Sequence, residues 1–406
     1  MSIASTDRAH FRLADFAALA QLAADATLGA TDIVEAMHAG IVRPRDRGGA
    51  AAAQRTRGIS GLVYASVRGV TRAVGAAAAT TARWLPEARE RPQSEARAAL
   101  QAALNGVLGD HLLASANPLA IPMTLRHDGV PLALDAASLA AALPHAGGRV
   151  AVLVHGLCLG DLQWRRDGGD YGAMLARAHG YTPLYLHYNS GLHVSTNGRA
   201  FAHLLEALVQ AWPHPLETLA IVGHSMGGLV ARSACHVGER DGHAWRRRLR
   251  VLACLGTPHH GAWLERGGHG LQALLGRVPY AAPLARLGRM RSAAITDLRH
   301  GNLLDADWQR CDRFADGADT RTPLPLPADV RCCAVAAVVA RRRDDRAART
   351  FGDGLVPLPS ALGEHADPAR HLRFPTAQTW VGRGMRHMDL LGDARVAARL
   401  REWLAP

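Results

Sequence analysis

Leu219-Ala-Ile-Val-Gly-His-Ser225-Met-Gly-Gly228 runs from four apolar residues through a serine set between glycines into a stretch able to form helix. The first four residues have the short, continuous apolar character of a parallel strand buried on both faces. Met226 to Val237 can carry the helix that follows. The G-x-S-x-G pattern between them raises a serine on a sharp strand-to-helix turn. Gly223 and Gly227 suit a turn too tight for Cβ atoms, and Ser225 is expected to be strained and exposed. The bland alternative is a glycine loop, which the strand and helix on either side disfavour.

A serine hydroxyl is a weak nucleophile until a base takes its proton and a third group orients that base. The acid candidate is Asp353, in Thr350-Phe-Gly-Asp353-Gly-Leu-Val-Pro357, which follows the apolar run Arg331 to Ala340. Side chains that act in open α/β sheets gather beyond the carboxyl ends of the strands, so this placement fits. Asp344 and Asp345 lie nearer that run but in an arginine-rich stretch that reads as solvated surface. The base candidate is His387, in Gly382-Arg-Gly-Met-Arg-His387-Met-Asp389, between the last strand-like run, Leu372 to Val381, and a terminal helix. His365 and His371 precede that run and are expected at the opposite edge.

Val150-Ala-Val-Leu-Val-His155-Gly156-Leu157-Cys158 is a second buried strand running directly into a loop. The backbone N–H groups of Leu157 and Met226 are the expected donors to an oxyanion, an effect of roughly 3 kcal/mol per donor. His155 is expected to shape this loop rather than act as base, an ordinary strand-end histidine being the alternative. With Gly156, His224 and His259 it is expected to border the substrate.

The chain has 406 residues, 48% of them hydrophobic, enough for a full α/β domain and one further module. The formal charge of +12 would ordinarily suggest an anionic partner. Here every basic residue is arginine, and alanine enrichment runs through the whole sequence. The two arginine clusters, Arg246-Arg-Arg-Leu-Arg250 and Arg341-Arg-Arg343, lack interleaved aromatics, so no nucleic-acid partner is expected. The six cysteines form no C-x-x-C pair and no zinc-like spacing, and they read as core residues. With no secretory signal in the first residues, the expected location is the cytoplasm.

Residues 1–118 read as an alanine-rich helical region with breaks at Pro44 to Gly49 and Leu85 to Pro92. Within it Ile59, Leu62, Val63, Val67, Val70 and Val74 recur at helical spacing, with Arg68 and Arg72 on another face. One reading packs this helix on the main domain; the other places residues 59–82 against a membrane surface. The arginines rule out a spanning helix. Residues 119–406 open on a hairpin signal at Asp128-Gly129. Strand-like runs follow at Arg149 to Val154, Thr182 to Tyr188, Leu219 to Val222, Val251 to Leu255, Arg331 to Ala340 and Leu372 to Val381. Helix-capable stretches separate most of them, which predicts a doubly wound, mostly parallel sheet. Residues 259–329 are too long for a bare loop and are expected to form a helical cap, with candidate helices at Gly270 to Leu275, Pro283 to Leu298 and Leu303 to Trp308.

Taken together, His155-Gly156, Gly-His-Ser225-Met-Gly, Gly256-Thr-Pro-His259-His-Gly261, Asp353-Gly-Leu-Val and His387-Met-Asp resemble, in order, the motifs of α/β-hydrolase fold lipases and esterases. The nearest resemblance is to bacterial triacylglycerol lipases and to deacylases that act on glycolipids, over about Ile121 to Pro406. It implies a Ser225, Asp353, His387 triad, an acyl ester or lipid substrate and no cofactor. Some such lipases hold a structural calcium through the aspartate two residues after the histidine, here Asp389; no second carboxylate ligand is evident. Acyl transfer or thioester hydrolysis by the same triad is the enzymatic alternative, and a catalytically silent binding protein is the other.

Overall fold

A computed structural model of the chain describes residues 13–42, 58–84, 95–166, 169–262, 292–309, 319–340 and 346–406. Two compact units emerge: Met1–Arg97 with Ala114–Leu119, and Ala98–Leu113 with Ala120–Pro406.

The larger unit is built on an eight-stranded sheet. Its strands are β1 (Thr124–His127), β2 (Val130–Pro131), β3 (Arg149–Val154), β6 (Thr182–His187), β7 (Thr218–His224), β8 (Leu249–Leu255), β9 (Arg331–Val338) and β10 (Thr379–Arg383). A separate two-stranded ribbon, β4 (Arg165–Arg166) and β5 (Gly169–Asp170), lies between β3 and β6 in sequence. The order across the large sheet is β10-β9-β8-β7-β3-β6-β1-β2. Only the β1–β2 and β1–β6 pairings are antiparallel; the pairings from β6 through β10 are parallel. The expected doubly wound sheet and its antiparallel entrance are therefore present. The entrance turns at Asp128 and Gly129, with φ of 49° and 78°, the positive angles a two-residue hairpin needs.

The central strands read as continuous apolar runs because both faces are covered. On one face Ala151, Leu153, Ala220, Val222, Ala253 and Val335 pack with Tyr171 and Leu175 of helix α5 (Tyr171–His179) and with Val396 and Leu400 of the terminal helix Ala394–Trp403. Helices α6 (Val194–Ala211) and α7 (Met226–Arg240) pack on each other, α7 also on β7 and β8. Cys158, Cys235, Cys254, Cys332 and Cys333 are free thiols buried in this unit.

β10 starts seven residues later than the run Leu372 to Val381 suggested. Pro375 has no N–H to donate to a ladder, which keeps it out of a strand interior, and Leu372 N–H is already engaged by the Gly363 carbonyl at 2.8 Å. Of the expected cap helices, Gly270 to Leu275 lies outside the described residues. Of Pro283 to Leu298 only residues 292–298 are described, and they hold a short helix, Ala293–Asp297. Leu303 to Trp308 contains a single 3-10 turn, Asp305–Asp307. Asp344 and Asp345 also lie outside the described residues.

The N-terminal helices are α1 (Leu13–Val42), α2 (Gly58–Trp84) and α3 (Glu95–Ala114). Within the smaller unit, the buried Arg97 guanidinium donates to both oxygens of Asp15 at 2.6 Å. On α2, Val67, Val70 and Val74 are 40%, 65% and 57% exposed, whereas Arg68, expected on the polar face, is buried. Among the described residues no helix is long and apolar enough to cross a membrane.

Candidate active site

β7 delivers Ser225 to the carboxyl edge of the sheet, and α7 begins at the next residue. Ser225 has φ 54° and ψ −127°, outside the ordinary regions for a side-chain-bearing residue. Neighbours over-determine it. Its N–H donates to the Leu255 carbonyl at 2.8 Å. A Cβ at Gly223 would lie 2.6 Å from Gly228 N, and one at Gly227 would overlap the Val154 carbonyl and lie 2.6 Å from His155 O. The two glycines thus let α7 start directly above the end of β3, and the strain is confined to the serine.

Asp353 and His387 reach the same edge from loops after β9 and β10. His387 Nδ1 and Asp353 Oδ2 are 2.7 Å apart, with both side chains almost wholly buried. Asp353 Oδ1 accepts the N–H groups of Leu355 at 3.0 Å and Val356 at 2.9 Å. The His387 N–H donates to the Asp353 carbonyl at 3.1 Å, so the two loops are joined through backbone as well as side chain. An ionised carboxylate accepts only, so Asp353 requires a proton on Nδ1 and leaves Nε2 as the free basic nitrogen.

Ser225 and His387 border one pocket, whose apolar wall includes Leu157, Leu159, Pro258, Leu298, Val356 and Met388. Leu157 and Met226, the expected oxyanion donors, lie on the loop after β3 and at the start of α7. Gly156 lies against the serine: a Cβ there would be 2.9 Å from Ser225 Cβ. Apart from Leu157, these wall residues were absent from the sequence expectations. They come from four separate connections; Pro258, Val356 and Met388 lie within the Gly-Thr-Pro, Asp-Gly-Leu-Val and His-Met-Asp motifs, whereas Leu159 and Leu298 carried no local signal.

The other histidines occupy distinct places. His155 is buried, its Nδ1 donates to the Gly156 carbonyl at 2.9 Å, and its ring stacks on Tyr188 with centroids 4.3 Å apart. The Tyr188 hydroxyl donates to the His155 carbonyl at 2.8 Å. These contacts shape the loop that carries Leu157. His224 borders the pocket and lies 3.3 Å, through Nε2, from the His387 carbonyl. His259 borders a different cavity, where Arg232 faces its Nδ1 at 3.3 Å. Asp389 accepts the Arg386 N–H at 2.8 Å, and among the described residues no group of three or more His, Cys, Asp or Glu side chains is placed to hold a metal.

Burial keeps these three histidines neutral. It pushes His155 down to about 3, partly offset by its bond to Gly156, and holds His224 and His259 well below the ordinary imidazole range. Each is free to bind a proton near pH 6.5 once the chain unfolds. Their contribution to stability is therefore complete above about pH 6.5 and lost as pH falls from there toward the folded values. Each adds a slope of up to about 1.4 kcal/mol per pH unit over that range. Urea unfolding at pH 7, 6 and 5 is expected to show stability decreasing in this direction; a flat profile would contradict it.

Residues 145–322 match the family model described as the PGAP1-like alpha/beta domain. No curated protein matches the chain. Among solved structures, the mature lipase BlEst2 of Bacillus licheniformis is 18% identical over 62% of this chain and 91% of its own, with a TM-score of 0.39. Lipase 1 of Pelosinus fermentans is 14% identical, covering 64% and 98% at a TM-score of 0.40. An esterase of Pyrococcus furiosus is 13% identical, covering 64% and 82% at 0.38. These are similarities to the chain; its own fold rests on the strand order and the strained elbow described above.

Proposed function

We propose that this chain, which has the α/β-hydrolase fold that lipases and esterases share, hydrolyses carboxylic esters of acyl or lipid substrates through an acyl-enzyme at Ser225. One observation carries the reading: the His387–Asp353 pair and the strained Ser225 meet at a pocket with an apolar wall. His387 Nε2 takes the serine proton as Oγ attacks the ester carbonyl, and the N–H groups of Leu157 and Met226 receive the developing oxyanion. His387 then protonates the departing alcohol. Water, deprotonated by His387, attacks the acyl carbon, the acid leaves, and the proton returns to Ser225. The apolar wall suits the acyl chain rather than a polar group.

The test has two arms. A fluorophosphonate probe is expected to label the folded chain at Ser225, and a series of esters of increasing acyl length is expected to be hydrolysed with a preference that reports pocket depth. A folded sample that neither labels nor turns over any ester would refute the reading.

A further inference from the structure

Helix α3 precedes the stretch that matches the PGAP1-like domain, yet its residues 98–113 belong to the same compact unit as the sheet. Leu104, Val107, Leu108 and Leu112 are almost wholly buried, so this part of the helix is fixed in the core. Three segments, two of which reach the pocket through Leu157 and Leu298, converge on residues 105–110. The first is the loop after β3: a Cβ at Gly106 would overlap Cys158 Sγ and lie 2.7 Å from Cys158 N and 2.8 Å from its Cα. The second is the loop after β6. Asn189 Nδ2 donates to the Gly109 carbonyl at 2.8 Å, and a Cβ at Gly109 would overlap the Asn189 side chain. The third is the start of the segment that leads to Leu298: Ser292 Oγ donates to the Gly106 carbonyl at 2.6 Å, and Ala293 N–H to Asp110 Oδ2 at 3.2 Å.

Cys158 has little freedom to yield. Its φ is 60°, and its N–H is held by Ser190 Oγ at 3.1 Å. It directly follows Leu157. A side chain at position 106 would have to move either a helix anchored in the core or the loop, and any shift of Cys158 carries Leu157 with it. Oxyanion donors act over a narrow range of distance, and a displacement of about 1 Å near the reacting atoms costs about 10²-fold in rate.

We infer that Gly106 is a positioning residue, through which α3 sets the Leu157 N–H that receives the oxyanion. The inference rests on the ester hydrolase reading. The full chain is compared with Gly106→Ala, Cys158→Ala, the double variant Gly106→Ala/Cys158→Gly, and Leu113→Ala, an exposed position on the same helix. Rates are expressed per active site, counted from the endpoint of fluorophosphonate labelling, and affinity for a boronate that mimics the tetrahedral intermediate is measured in parallel. Gly106→Ala is expected to lower kcat by about 10²-fold with KM within about twofold, and to weaken the boronate in proportion. The double variant, with glycine suited to the positive φ and no Sγ in the way, is expected to recover part of that loss. Leu113→Ala is expected to match the wild type.

A Gly106→Ala chain with wild-type per-site kcat, or with a change in KM alone, would overturn the inference. Should Gly106→Ala not fold, Cys158→Ala serves in its place, because it removes the Sγ contact without adding bulk; unchanged kcat and boronate affinity there would likewise overturn it. Failure of the hydrolase reading is distinguishable, because it appears in the wild-type chain as absence of both labelling and turnover.

Discussion

Ser225→Ala is expected to lower kcat for ester hydrolysis by about 10⁵- to 10⁶-fold, leaving the fold and KM nearly unchanged. Without Oγ no acyl-enzyme forms, and His387 with the Leu157 and Met226 N–H groups can assist only the direct attack of water. Steady-state kinetics with an activated ester, on protein checked for a native melting transition, measure the loss. Activity within tenfold of the wild type would exclude Ser225 as the nucleophile. A companion variant separates chemistry from conformation. Ser225 holds φ 54° and ψ −127°, which alanine endures no better than serine but glycine adopts freely. Ser225→Gly is therefore expected to be as inactive as Ser225→Ala and about 1 kcal/mol more stable in urea unfolding. A strained nucleophile that glycine relieves fits a site maintained for reaction at some cost in stability.

The sheet was legible because each central strand carries its own signal. β3 spans Arg149–Val154, the same residues as its strand-like run, of which Val150 to Val154 are apolar and wholly buried, as a strand covered on both faces requires. β10 was misplaced at its start because the run from Leu372 crosses Pro375, where the chain is apolar but cannot pair as a strand interior. Ser225 and His387 could be read for a similar reason, each lying within a few residues of the strand before it, whereas Asp353 lies beyond the helix Arg346–Phe351 that follows β9 and was legible from its own Gly-Asp-Gly-Leu-Val motif. The wall of the pocket could not be read that way. Leu159, Leu298 and Met388 meet only after three loops fold back over one edge, and nothing local to any of them reports the other two. Helix α3 shows the same limit from another side. In an alanine-rich helix Gly106 and Gly109 read as two weak helix formers. Their use appears only once Cys158 and Asn189 are seen against them.

The hydrogen bonds of Asp353 make Asp353→Asn the sharpest test of how the histidine is set. Oδ1 accepts two backbone N–H groups, from Leu355 and Val356, while Oδ2 faces His387 Nδ1 at 2.7 Å. An asparagine carries one oxygen, and the pair of backbone donors claims it, because turning the amide over would set its NH2 against two N–H groups in a buried site. The NH2 then faces Nδ1 and requires that nitrogen to accept, which moves the imidazole proton to Nε2. A ring protonated there cannot take the Ser225 proton, although every heavy atom stays in place. The expected outcome is a loss of about 10⁴ in kcat with a native melting temperature to within a few degrees. Fluorophosphonate labelling should slow in parallel with kcat, since it draws on the same activated serine. Near-normal kcat in a folded Asp353→Asn chain would mean that His387 takes its tautomer from some other group, and Asp353 would then serve only to tie the loops after β9 and β10 together.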